Sequence, residues 1–208
     1  MINFFKNLKF NKLKAKNYKL NAGMSYVELV VVLSIFSVLS SVVIFNYGDF
    51  QAKVDIKNLA SDIALKIVEA QKSSLSGLLP TQIPTVSPWK PSYGVYFDLT
   101  DNKNFIYFTD LNNNNFFNDS NCNGECLNYI TITKNNYISK IEKFTGSSPS
   151  LVTDPLAITF KRPDSSAVFS DLSGTSLKGF DYMQITITSP KGVTAIIKVY
   201  PSGRVQVN

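Results

Sequence analysis

Residues 23 to 45 read G-M-S-Y-V-E-L-V-V-V-L-S-I-F-S-V-L-S-S-V-V-I-F, and from Met24 to Phe45 the only charged side chain is Glu28. As a helix rising about 1.5 Å per residue this run spans about 33 Å, enough for a hydrocarbon core of about 30 Å. The stretch reads as a membrane segment. Ahead of it stand Lys6, Lys9, Lys12, Lys14, Lys16 and Lys19 with no acid. The positive-inside rule then keeps the amino end in the cytoplasm and sends the rest of the chain across. The expected localisation is a single-pass cytoplasmic-membrane protein with its C-terminal domain outside the cytoplasm.

A carboxylate inside an apolar segment is costly and marks function by default. Glu28 stands fifth in a chain beginning at Met24. Gly23, Met24, Ser25, Tyr26, Val27, Glu28, Leu29 and the unbroken apolar run resemble the processing site of type IV prepilins and type II secretion pseudopilins. The resemblance implies cleavage by a prepilin peptidase between Gly23 and Met24, and N-methylation of Met24. It also implies pairing of Glu28 with the terminal amine of a neighbouring subunit during assembly, and partners in an inner-membrane assembly platform and in other pilin or pseudopilin subunits. Ser25 and Tyr26 depart mildly from the usual family residues. Electrostatics supports the role given to Glu28, because a nearby ammonium keeps a carboxylate charged in a low-dielectric bundle. Two other readings compete. An ordinary signal peptide would be cut after the apolar run, near Ser40 or Ser41, yet the run continues to Phe45. An uncleaved anchor would keep the leader and let Glu28 snorkel to the cytoplasmic face, leaving an extracytoplasmic module that binds DNA or a surface partner.

Downstream, Val54, Ile56, Leu59, Ile63, Ile67 and Ala70 recur at three- and four-residue steps, flanked by Ala60, Ala64 and Val68. Lys53, Lys57, Asp62, Lys66 and Lys72 mark a wet side, so an amphipathic helix is expected to continue to Ser76, ended by Gly77. Ser34, Ser37 and Ser41, with Ser40 beside them, form a stripe that either faces neighbouring helices or is satisfied by back-bonding. Gly48 is either a hinge or a tolerated helix glycine.

The domain plan is therefore a basic leader (1–23), a transmembrane and assembly half of the helix (24–47), an amphipathic half (48–77), a Pro-rich linker (78–91) and a β-domain (92–208). Trp89 is expected to tack the linker down, which then crosses to the far edge of the sheet. Strands are expected at 93–98 and 104–109 as a hairpin, then at 129–133, 137–144, 156–161, 183–188, 193–200 and 204–207. The fold class is α+β, a long N-terminal helix packed on a C-terminal antiparallel sheet. Y-G-V-Y-F, D-L-N-N-N-N-F and I-K-V-Y-P-S-G-R-V within it resemble H-type minor pseudopilins and minor pilins, which implies a minor filament subunit.

The formal charge of +6 belongs to the leader: without its six lysines, 15 basic residues face 15 acids. A broad electrostatic footprint on DNA is thus absent, and with no histidine the commonest general base and metal ligand are missing. No enzyme constellation stands out, and no cofactor is required. Cys122 and Cys126, outside the cytoplasm, read as a local disulfide. Asp110, Asn112 and Asn114 repeat the first, third and fifth ligand positions of a calcium loop, with the Phe116 carbonyl at the seventh, Asn118 at the ninth and Asp119 in reserve. Asn115 stands where glycine is usual and no glutamate stands twelfth, so an asparagine-rich turn is the competing reading. Arg204, next to Lys198, partly resembles a basic DNA-binding motif of minor pilins. Gln206 replaces its second arginine, and a charged strand edge explains the pair equally simply.

Overall fold

A computed structural model describes residues 23 to 208, apart from Trp89, Ser120, Asn121 and Asn123, and gives the backbone alone for Asn46. Residues 1–22 of the basic leader, and the anchoring role expected of Trp89, lie outside the described residues. The chain forms two units, Met1–Phe45 and Asn46–Asn208. One helix, α1 (Tyr26–Ser76), contributes to both.

In the first unit the helix begins with Ser25 as its cap, whose Oγ accepts the Glu28 N–H at 3.2 Å while its carbonyl accepts the Leu29 N–H at 3.1 Å. Ser-x-x-Glu is the capping-box sequence pattern, and the bond to Ser25 Oγ satisfies one donor the first turn leaves orphaned. Ser34 and Ser37 donate to the carbonyls of Val31 and Leu33, both at 2.8 Å, so back-bonding accounts for these two serines. From Tyr26 to Phe45 every side chain is exposed except the half-buried Ser40. The segment is long and apolar enough to cross a membrane.

Among the described residues, the second unit contains the outer half of α1 and eleven strands. They are β1 (Ser92–Phe97), β2 (Asn104–Thr109), β3 (Cys126–Thr131), β4 (Tyr137–Thr145), β5 (Ser148–Val152), β6 (Leu156–Lys161), β7 (Ala167–Ser170), β8 (Ser176–Leu177), β9 (Tyr182–Thr188), β10 (Thr194–Val199) and β11 (Val205–Val207). They build two antiparallel sheets, of order β3-β2-β1-β6-β7-β8 and β11-β10-β9-β4-β5. The fold is α+β as the sequence implies, but one sheet was expected and two are present. β5, β7 and β8 escaped the sequence reading. They are short, and β5 holds a proline, so none shows a long alternating run. The linker enters β1, an interior strand and not an edge.

Alternation explains the joint core. Tyr93, Val95 and Phe97 of β1, Ile158 and Phe160 of β6, Ile185 and Ile187 of β9, and Ile197 and Val199 of β10 point inward from the two sheets. Against them α1 sets Ile56, Ala60, Ile63, Ala64, Ile67 and Ala70, its three alanines leaving the sheets room to approach. Leu59 packs partly, whereas Val54 and Val68 do not join this core. They lie about a third of a turn or more away around the helix, as 3.6-residue periodicity requires.

The helix ends as expected. Gly77, at φ 70°, donates to Ser74 O at 3.1 Å, and Leu78 donates to Ser73 O at 3.1 Å. This is the Schellman pattern, in which a left-handed glycine lets the chain satisfy two last-turn carbonyls. Ser74 Oγ then donates to Pro91 O at 2.9 Å and Tyr93 Oη to Leu78 O at 2.7 Å, tying helix end, linker and β1 together.

The opposite face of the six-stranded sheet carries a second, smaller core of Ile106, Phe108, Phe116, Phe117, Cys126 and Ala157, with Tyr96 packed against it. Gly94 pairs with Phe108, and a Cβ on Gly94 would stand 2.8 Å from the Phe108 ring and 2.6 Å from Ile158 O. Glycine here lets the ring lie flat across the strand.

Ile63 tests the shared core. Ile63→Ala is expected to cost about 2–5 kcal/mol, while Leu65→Ala, on the exposed side, shifts stability by less than about 0.5 kcal/mol. Urea unfolding of the detergent-solubilised chain, followed by tyrosine fluorescence, measures both.

Candidate functional site

Between β2 and β3 the chain must return across the apolar outer face of the six-stranded sheet. It does so with Phe116 and Phe117 turned down. Phe116 meets Tyr96 edge-on at 5.5 Å, and Phe117 lies 5.2 Å from Tyr96 and 5.5 Å from Phe108, centroid to centroid. Apolar plugs thus hold a loop whose remaining residues are mostly asparagine.

The loop's backbone is organised by two buried carboxylates. Asp110 Oδ1 accepts the Asn114 N–H at 3.1 Å and Oδ2 accepts the Asn115 N–H at 2.9 Å; Ser92 Oγ also donates to Oδ2, at 3.4 Å. Glu125 Oε1 accepts the Leu111 N–H and Oε2 the Asn118 N–H, both at 3.1 Å. Asn112 Oδ1 accepts from Asn114 N at 3.0 Å, Asn114 Oδ1 from Phe116 N at 2.9 Å, and Asn118 Oδ1 from the side-chain amides of both Asn112 and Asn114. These are Asx-type turns, the local bonds that short amide side chains make best.

Of the expected calcium ligands, Asp110, Asn112, Asn114 and Asn118 therefore come together in one cluster. Asp119 turns to the neighbouring loop, where its Oδ2 accepts the Gly124 N–H at 2.6 Å. Asn115 adopts φ 63°, the left-handed conformation of the glycine it replaces, and Asn113 adopts φ 58°. Among the described residues no three His, Cys, Asp or Glu side chains gather around one point, so amides supply most of the oxygen atoms here.

Glu125 was missed by the sequence reading. The register offers the signal: Cys126 pairs with Phe108, and Thr109 N donates to Glu125 O at 2.8 Å, so Glu125 is carried back beside Asp110. The expected disulfide is present, Cys122–Cys126, and closes the turn that delivers Glu125. Burial raises the pKa of both Asp110 and Glu125, opposed by the N–H groups that each accepts; for Glu125 the Asp110 charge raises it further. The linker is strapped to the same loop, with Thr85 donating to Leu111 O through N at 3.1 Å and through Oγ1 at 3.2 Å.

Lys198 and Arg204 lie elsewhere, at the outer face and rim of the five-stranded sheet. Phe144, Tyr182 and Tyr200 form a row there, with centroids 4.8 and 5.5 Å apart. Lys198 Nζ sits 4.7 Å from the Tyr182 ring centre and Arg204 Cζ 3.7 Å from that of Tyr200. Each cation thus has a cation–π partner, and the near-parallel Phe144 and Tyr182 rings cover one another's faces. In the first unit Gly23 and Met24 precede the helix and Glu28 is exposed in its first turn.

Comparison with protein-family models, with curated proteins and with solved structures returns no match for this chain.

The two buried carboxyls have a consequence for pH. With folded pKa values raised, the folded chain retains protons that the unfolded chain releases, so their contribution to stability falls as pH rises from the ordinary values through the raised ones. Glu125→Gln removes one of these titrations, at a cost of about 1–3 kcal/mol for an amide NH2 that then faces a backbone N–H. Its urea midpoint is expected to vary less than the parent's between the ordinary glutamate value of 4.5 and neutrality.

Proposed function

We propose that the chain is a prepilin-like structural subunit. It is cleaved after Gly23, N-methylated at Met24 and packed through its helix into a type IV pilus or type II secretion pseudopilus, as a minor component and without enzymatic activity. The observation that carries this reading is the helix from Tyr26 to Phe45, apolar yet unburied within the chain. Such a surface requires lipid or the helices of other subunits. A membrane holds it before assembly, with the amino end in the cytoplasm, and a filament core holds it afterwards. The outer half adds a second apolar stripe, since Tyr47, Phe50, Leu65 and Leu75 are exposed on the side away from the domain's core. Prepilin peptidase, the assembly platform and neighbouring subunits are the partners this reading requires.

The test is the intact and N-terminal peptide mass of the protein from membranes of cells with and without a prepilin peptidase. A chain starting at N-methylated Met24 only when the peptidase is present is expected. Glu28→Gln is then expected to be processed normally and left out of filaments. An intact leader under both conditions overturns the reading in favour of a single-pass anchor carrying a binding module.

Calcium binding by the Asp110–Asn118 loop is a second element of the proposal. It is favoured by the left-handed Asn115 and by Asp110 accepting the N–H groups of the fifth and sixth loop positions, with Glu125 as an added carboxylate. Sparse charge sets the affinity in the range of about 10⁻⁴–10⁻³ M typical of extracellular modules. At several millimolar calcium the thermal midpoint is expected to rise relative to chelator, and Asp110→Asn with Glu125→Gln abolishes the rise. Equal midpoints in calcium and chelator for the parent chain overturn it.

A further inference from the structure

The β-domain reaches back along α1 to its own first helical turns. Lys191, in the turn between β9 and β10, places Nζ 3.0 Å from Asp49 Oδ1, and its Nζ lies 2.6 Å from where a Cβ on Gly48 would stand. Lys134, in the turn between β3 and β4, places Nζ 2.6 Å from Asp55 Oδ1. Both lysines stand in tight turns. Gly192 N donates to Ser189 O at 2.9 Å, Ser189 N to Val193 O at 2.8 Å, and Lys134 and Asn135 take φ 60° and 55°. Lys134, Lys191, Gln51 and Pro190 line one shallow groove with the helix.

Covalent continuity locates the Asp49–Lys191 end of this cluster. Asp49 follows Phe45, the last residue of the apolar run, by four residues: about 6 Å of helix, and no more than about 14 Å of fully extended chain. The headgroup layer beside a hydrocarbon core is about 5–8 Å thick. Tyr47 is exposed here, a residue type that settles at a membrane–water boundary. Exposed Lys53 and Lys57 join Lys134 and Lys191, and the acids among these groups are Asp49 and Asp55, which leaves an excess of two positive charges. An ammonium has three donors, and each paired lysine commits one to its carboxylate. The Lys134 and Lys191 side chains stay 58% and 50% exposed, so their other donors are open to a further acceptor.

We propose that these two turns form a basal surface by which the β-domain rests on lipid headgroups before assembly, with Lys191 donating to a lipid phosphate and Lys134, farther out along the helix on Asp55, adding positive potential behind it. This rests on the membrane reading of α1. Lys191 then bridges a helix aspartate and a phosphate, a charge-assisted arrangement that holds the domain upon the bilayer it leaves during assembly.

Spin labelling tests the proposal on the full-length chain in bilayers that contain a nickel-chelating headgroup lipid. Both native cysteines are bridged, so an introduced cysteine is the sole free thiol. Labels go on Pro190→Cys, on Ser202→Cys and on Ser37→Cys. Ser202 adjoins Gly203, whose carbonyl accepts from Gln71 at 3.3 Å, about 33 Å farther along the helix than Asp49. The label at 190 is expected to be relaxed by headgroup nickel several-fold more than that at 202. Adding Lys134→Gln and Lys191→Gln is expected to remove most of the difference. Equal relaxation at 190 and 202, or undiminished relaxation in the double glutamine variant, overturns the headgroup contact. The label at 37 separates the two readings. If it is immersed, accessible to oxygen and shielded from nickel, while 190 is not relaxed, the basal contact alone fails; if it is not immersed, the membrane reading fails with it.

Discussion

The domain depends on one packing constraint: two sheets share a single apolar stripe on the outer half of α1. Ile56, Ile63 and Ile67 supply volume and Ala60, Ala64 and Ala70 supply closeness, so inward residues of both sheets meet on one helix. Each fully buried isoleucine contributes about 1.5–3 kcal/mol. The hydrogen bonds from Gln71 to Ser165 O at 2.8 Å and from Tyr107 to Ser73 at 3.0 Å then fix register and rotation.

That arrangement leaves the other face of the six-stranded sheet uncovered, and the 110–126 loop answers it. Phe116 and Phe117 cover Tyr96 and Phe108, while the polar remainder has to satisfy its own backbone over a dry sheet. Two carboxylates do so, each accepting N–H groups from the loop, and the cost appears as raised pKa values. The same atoms that organise the loop are therefore the atoms a hard cation would use. Structure and prospective chemistry are not separable there.

The helix carries the contrast between the two units. Its first half is exposed, with no apolar partner among the described residues, and its second half is buried on one side only. So much apolar helix surface uncovered among the described residues is why the proposed function is one of assembly. The pairs Asp49–Lys191 and Asp55–Lys134 bind the β-domain to the turns that directly follow the apolar run.

Local patterns determined a good deal. The 3.6-residue recurrence from Ile56 to Ala70, the left-handed stop at Gly77, the hairpin of β1 and β2 and the Cys122–Cys126 bridge were legible because each is written within a few neighbouring residues. The Ser25-x-x-Glu28 cap is equally local. The remainder required tertiary structure. Dividing the strands into two sheets, folding Phe116 and Phe117 onto Tyr96, setting Glu125 beside Asp110 and Lys191 beside Asp49 all join residues distant in sequence. Neither alternation nor turn chemistry encodes which far surface an exposed face will meet. That choice is made only when the whole chain competes to cover its apolar area and to satisfy every buried polar group at once.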